Sequence, residues 1–328
     1  MPRRTVISVL GAFAVSRAAV ILLLIIGSQI TFVTKDYGTI WRTEVSLKAG
    51  RVWPELARMV MVGDAWFYHQ IATTGYEPRT ADGAPKNTWA FFPVYPLLVR
   101  ALGGGGDTSF AIVAVLTSNL ALLAALFAVA AAGRALDTSN DDVERAVWYL
   151  ALFPTSYFFS LPMTESFFLL LSAGTFLAAA KQRWWAAGIL GGFSAATRVI
   201  GICLLPALLL LPWQRQQRIC RQQLWLAMIP LGLLAFAAFL YVRTGDPLAF
   251  VHAQTLWGRT RFAMSFPGTG LVLSKPWNFI ALNTAAALLM IAAGVGFAIR
   301  RQWSYATYTL LSALIPISAG SIQSVARY

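Results

Sequence analysis

The chain has 328 residues, of which 58% are apolar and only 12% charged. A soluble globular domain carries about 25% charged residues, so composition excludes that class and leaves a polytopic membrane protein. The net charge of +13 does not point to nucleic acid, because the basic residues are scattered among short loops between apolar stretches, where they orient a chain in a bilayer.

In chain order, the first predicted span covers residues 6–30. Arg3 and Arg4 precede it and no small-residue cleavage site follows, so it reads as a retained signal anchor with a cytoplasmic N-terminus. Residues 35–107 form the first outer loop, in which eight Lys/Arg nearly balance seven Asp/Glu. Its stretch 63–100 is too polar to cross a bilayer and too aromatic for a plain linker. Asp64 is followed by Trp66, Phe67 and Tyr68, then Gly75-Tyr76-Glu77, then Phe91-Phe92-Pro93 and Pro96. A carboxylate among aromatic rings suggests a chemical site at a membrane surface. Asp64 equally reads as the N-cap of a helix beginning at Ala65, and the aromatic residues as an interfacial belt. Gly103–Gly106 is expected to be a flexible hinge.

Further spans are predicted at residues 109–133, 146–161 and 163–180, with Arg134, Arg145, Lys181 and Arg183 at their inner ends. Residues 184–211 could form one span, yet Lys181 and Arg183 precede them and Arg215, Arg218 and Arg221 follow. The positive-inside rule therefore predicts a hairpin of two short helices that bends near residues 196–201. Each arm would be about 20 Å long, less than the roughly 30 Å hydrocarbon core, so the bend needs shelter from lipid. Spans at 223–242, 277–299 and 303–322 complete an expected total of about nine in a single all-α domain. A second outer loop, 243–276, carries Gly245-Asp246-Pro247, Arg259, Arg261 and Lys275, and Arg327 emerges on the outer side.

Three charges lie within or beside apolar spans: Arg17, Glu165 and Arg198. A charge at mid-bilayer costs on the order of 2.5–3.5 kcal/mol, which makes each a candidate for function. Arg17 fits an ion pair between helices as well as it fits binding. Glu165, at the start of a span, suits the positive end of a helix dipole. Arg198, at a break between half-helices, suits an anionic ligand. Cys203 and Cys220 form no framework, and His69 and His252 have no zinc spacing, so neither a metal nor a cofactor is expected.

Gly63-Asp64-Ala65 through Ile71-Ala72, Gly75-Tyr76 and Ala90-Phe91-Phe92-Pro93 to Pro96 resemble the first lumenal loop of the PIG-V type mannosyltransferases, membrane enzymes of the GT-C fold. Phe153-Pro154-Thr155-Ser156, Thr164-Glu165-Ser166-Phe167 and Ala196-Thr197-Arg198 to Gly201 follow in the same order, and residues 245–259 resemble bacterial members. The chain departs from the family pattern at Gly63, Met163 and Ile200, which stand where a Trp, a Tyr and an Asn are usual. The family continues with further spans beyond the point corresponding to Tyr328, so an incomplete C-terminal end is expected.

The resemblance implies an inverting glycosyltransferase of a bacterial inner membrane, with an extracytoplasmic site that moves mannose from a polyprenyl-phosphate mannose to a lipid or glycan acceptor. Asp64 would be the base. Arg198 and Arg327 would hold the donor phosphate, since a guanidinium can bond two phosphate oxygens at once. Glu165, Tyr68, Tyr76, Trp66 and Arg259 would help bind substrate among the membrane lipids. Three rivals remain: transfer of a different polyprenyl-phosphate sugar; a transporter or flippase of lipid-linked glycans, which would need inverted repeats that the sequence does not display; and a catalytically silent scaffold, for which loss of Asp64 would be harmless.

Overall fold

The computed structural model describes residues 1–28, 30–36, 41–47, 59–79, 81, 84–257 and 277–318. Among the described residues, four helical stretches are long and apolar enough to cross a bilayer: Arg3–Gly27, Ser109–Ala135, Arg221–Thr244 and Leu282–Ile299. Even the last, with 18 residues, extends roughly 27 Å at about 1.5 Å per residue, close to the hydrocarbon thickness. The chain is a membrane protein. Shorter apolar helices, Glu165–Ala180 and Val199–Gln214, pack among these spans.

Helix α1 (Arg3–Ser28) leads into an antiparallel ribbon of β1 (Ile30–Asp36) and β2 (Trp41–Leu47), in register from Ile30 opposite Leu47 to Asp36 opposite Trp41. Its Ile, Val, Thr and Phe residues favour a pleated backbone. Every other described element is helical, as expected. Next come two short helices, α2 (Ala65–Thr73) and α3 (Val94–Ala101), and the long α4 (Asp107–Ala135). Of the glycines between α3 and α4, expected to be a hinge, Gly104 is buried and tightly packed: a Cβ there would lie 2.5 Å from Val99 Cγ1.

The span expected at residues 146–161 is interrupted. Helix α5 (Asn140–Leu152) starts at Ser139, whose hydroxyl accepts from the Asp142 amide at 3.2 Å, and stops at Phe153, which is extended (φ −57°, ψ 141°) ahead of Pro154. The residue before a proline disfavours helical backbone, and proline itself has no N–H to continue the ladder. A 3-10 turn follows over Ser156–Ser160. Arg17 of α1, 5% exposed, holds that turn. It donates to the Ser156 carbonyl at 3.1 Å, the Ser160 hydroxyl at 2.7 Å and the Ser156 hydroxyl at 3.3 Å. Arg17 thus supplies donors to a broken stretch of backbone, a packing role met by neutral acceptors in place of the expected ion pair. Each such bond to a charged group contributes about 1.5–3 kcal/mol.

Helix α6 (Glu165–Ala180) is followed by the predicted hairpin: α7 (Trp184–Ala195), a break, a 3-10 turn over Val199–Cys203, and α8 (Leu204–Gln214). A hydrogen bond from Gln182 to Gln217 joins the two ends of the hairpin. At its apex, a Cβ on Gly201 would lie 2.5 Å from the Ala195 nitrogen, so only glycine lets the returning chain pass so closely. Helix α9 (Met228–Thr244) runs parallel to α7, and a Cβ on Gly232 would lie 1.9 Å from the Gly192 carbonyl oxygen. Small residues permit this backbone contact, as is common between helices in lipid. Beyond it lie the single turn α10 (Ala249–His252), then α11 (Trp277–Ile299) and α12 (Trp303–Ser318).

Contacts at the helix termini define two opposite ends. At one, Arg4 pairs with Asp141 and Glu144 at 3.2 Å, Arg215 donates to the Ala135 carbonyl at 2.8 Å and pairs with Asp137 at 3.1 Å, and the Ser304 amide donates to Gln214 at 2.8 Å. Lys181, Arg183, Arg218, Arg300 and Arg301 lie in the loops at this basic end, and Arg221 opens the 3-10 turn that leads into α9. At the far end lie the starts of α2, α4 and α6, the hairpin apex and the end of α9.

Candidate active site at the far helix ends

The polar loop folds into a compact cover. The Tyr76 hydroxyl donates to the Phe91 carbonyl at 2.7 Å, the Thr88 amide and hydroxyl donate to Glu77 Oε2 at 3.2 and 3.1 Å, and the Trp89 indole donates to the Glu77 carbonyl at 2.9 Å. These bonds tie Gly75-Tyr76-Glu77 to the stretch that leads into Phe91-Phe92-Pro93. Phe67 stacks on Phe91 at 4.7 Å, and Tyr68 meets Phe91 and Tyr95 edge-on at 5.2 and 5.6 Å. Tyr95 bonds Ser118 of α4 at 2.8 Å, and the Ser118 hydroxyl donates to the Leu161 carbonyl at 2.8 Å. The cover is thereby anchored to the segment leading into α6.

Gly63 sits at φ +54°, in the left-handed region that favours glycine. The chain then turns into α2 with Asp64 at the N-cap. A capping aspartate has extended backbone and gives its carboxylate to an amide in the first helical turn. Asp64 instead has φ −62° and ψ −20°, and its side chain makes no cap bond. Thr164, the N-cap of α6, does the same: φ −81°, ψ −10°, and no cap bond. A cap contributes about 1 kcal/mol, and both helices forgo it.

Thr164 meets Tyr68 and Arg198. The Tyr68 hydroxyl lies 3.3 Å from Thr164 Oγ1, and Arg198 Nη1 donates to the same Thr164 oxygen at 3.2 Å. Arg198 Nη1 also lies 3.1 Å from Glu165 Oε1; the guanidinium side chain is 14% exposed and the carboxylate side chain 2%. The Phe168 ring covers the guanidinium, with its centroid 5.9 Å from Cζ. Burial pushes the Tyr68 pKa up from 10.0; Arg198 opposes the rise, while Asp64 and Glu165 add to it. Three of the charged groups singled out in the sequence therefore act on one buried hydroxyl, which stays protonated.

The other anticipated residues are dispersed. Trp66 is 55% exposed and touches His69 edge-on, while His69 Nε2 lies 3.0 Å from Asp107. Tyr76 packs against Phe236 and Phe239 of α9, and its hydroxyl bonds the carbonyl of Phe91, whose ring meets Tyr68. Arg259 and Arg327 lie outside the described residues. The sequence assigns no role to Thr164 or Phe168. Among the described residues, no group of three or more His, Cys, Asp or Glu is placed to hold a metal ion. No family model, curated protein or solved structure matches the chain.

Proposed function

We propose that the chain is an inverting glycosyltransferase of the GT-C type, with about nine spans, that moves mannose from polyprenyl-phosphate mannose to a lipid or glycan acceptor. The observation that carries the proposal is the buried Arg198–Glu165 pair, linked through Thr164 to Tyr68, one helical turn after Asp64. The arrangement offers a cation at the hairpin apex and a candidate base at the start of α2, and inverting transfer from a phosphate needs both. Basic loops at the opposite end favour a cytoplasmic location for that end, so the site faces away from the cytoplasm, across a bacterial inner membrane.

In the proposed step, the Asp64 carboxylate takes the proton of the acceptor hydroxyl as its oxygen attacks the anomeric carbon from the side opposite the phosphate. The bond from that carbon to the phosphate oxygen breaks, and its electron pair leaves with polyprenyl phosphate. Arg198 stabilises the charge that develops there, and the positive starts of α2 and α6 assist. Glu165 holds the guanidinium in place. Asp64 returns its proton to solvent, and the products are the inverted mannoside and polyprenyl phosphate. Glycan and lipid profiling of a deletion strain tests this reading. Loss of one mannose from a cell-envelope product supports it. Loss of a different sugar moves the reading to another polyprenyl-phosphate donor, and accumulation of a complete lipid-linked glycan on the cytoplasmic side replaces it with a flippase.

A further inference from the structure

Thr164 has a place in this cluster that the proposed chemistry does not use. Its hydroxyl is in the position and residue type that normally caps a helix, yet it turns away from the amides of α6. It accepts from Arg198 Nη1 at 3.2 Å and bonds the Tyr68 hydroxyl at 3.3 Å. A hydroxyl has one proton and two lone pairs, so it can serve both partners at once. Thr164 is 1% exposed and Tyr68 6%, which removes water as a competitor for these bonds. Tyr68 belongs to α2, one turn after Asp64, whereas Arg198 belongs to the hairpin apex. The two hydroxyls are therefore a direct polar link between the helix that carries the carboxylate and the loop that carries the guanidinium.

We infer that Thr164 is a positioning residue: with Tyr68 it fixes Arg198 relative to Asp64, and so sets the distance between the phosphate-holding cation and the base. This rests on the glycosyltransferase reading. Glu165 alone cannot do the same, because it orients Arg198 against α6 and leaves its distance to α2 unset. A misplacement of about 1 Å between reacting groups can cost on the order of a hundredfold in rate.

The test uses purified full-length protein in nanodiscs, with polyprenyl phosphate as the binding probe and polyprenyl-phosphate mannose as donor. Membranes of a deletion strain supply the acceptor. Thr164→Val keeps the shape and removes the hydroxyl. It is expected to weaken polyprenyl-phosphate binding by on the order of tenfold and to lower kcat further, whereas Thr164→Ser restores both. In an Arg198→Ala background, Thr164→Val should change binding by less than about twofold, because it acts through the guanidinium. Tyr68→Phe cuts the same link from the other side and should lower kcat even if Thr164→Val does not fold. Equal losses from Thr164→Val with and without Arg198, or normal kcat in folded Thr164→Val and Tyr68→Phe, overturn the inference while leaving the function intact. Failure of the unaltered protein to bind polyprenyl phosphate or to use the donor overturns both.

Discussion

Replacing Arg198 separates its two roles. The guanidinium lies 3.1 Å from Glu165, with side chains 14% and 2% exposed. At that distance two unit charges attract by about 5 kcal/mol at an effective dielectric constant of roughly 20, and desolvation offsets part of the gain. Arg198→Met strands the Glu165 carboxylate in a buried setting and is expected to cost about 3–5 kcal/mol of stability. Adding Glu165→Met removes the stranded charge and should recover most of that loss. Donor use should not recover, because no cation remains to hold the phosphate. Thermal unfolding in detergent and steady-state kinetics with varied polyprenyl-phosphate mannose read the two effects separately. A double variant that regains both stability and normal donor kinetics would refute the phosphate-binding role and leave Arg198 as a structural ion-pair member.

Gly232→Ala places a methyl 1.9 Å from the Gly192 oxygen, which forces α7 and α9 apart and should cost at least about 1–3 kcal/mol. Gly296→Ala, with nothing within 4 Å, should unfold at the temperature of the unaltered protein; equal midpoints for both variants contradict the packing. Burial raises the pKa of Tyr68, Tyr76 and Tyr95, so the native state resists their ionisation. Stability should hold up to the unfolded tyrosine value near pH 10 and fall above it by up to about 1.4 kcal/mol per pH unit for each group. A thermal midpoint at about pH 11 equal to that at about pH 9 would argue against it. An impermeant maleimide should label Lys86→Cys in intact cells and the native Cys220 only after permeabilisation. The reverse pattern inverts the topology and puts the proposed site in the cytoplasm.

The hairpin was legible in the sequence because basic loops bracket it, a pattern that depends on charge alone; the bond from Gln182 to Gln217 shows its two ends together. The interruption at Pro154 was hidden because a hydropathy window averages over a single proline in an apolar stretch. Arg17 was visible as a costly charge, but its partners Ser156 and Ser160 lie 139 and 143 residues away and have no signature of their own. Asp64 and Thr164 were the hardest cases. Asp and Thr before a helix satisfy the capping pattern whether or not the side chain caps, and only the backbone angles separate the two. Tyr76 stood out beside Asp64 for its aromatic ring, whereas the fold engages it as a strut against α9.

Mannosyl transfer by purified Asp64→Asn protein bears most directly on the proposed chemistry. Asparagine keeps the size of the side chain and removes the proton acceptor. The substitution should leave folding, membrane insertion and polyprenyl-phosphate binding unchanged, while lowering turnover by at least about a hundredfold. Near-normal turnover by the folded variant would contradict a catalytic base at Asp64.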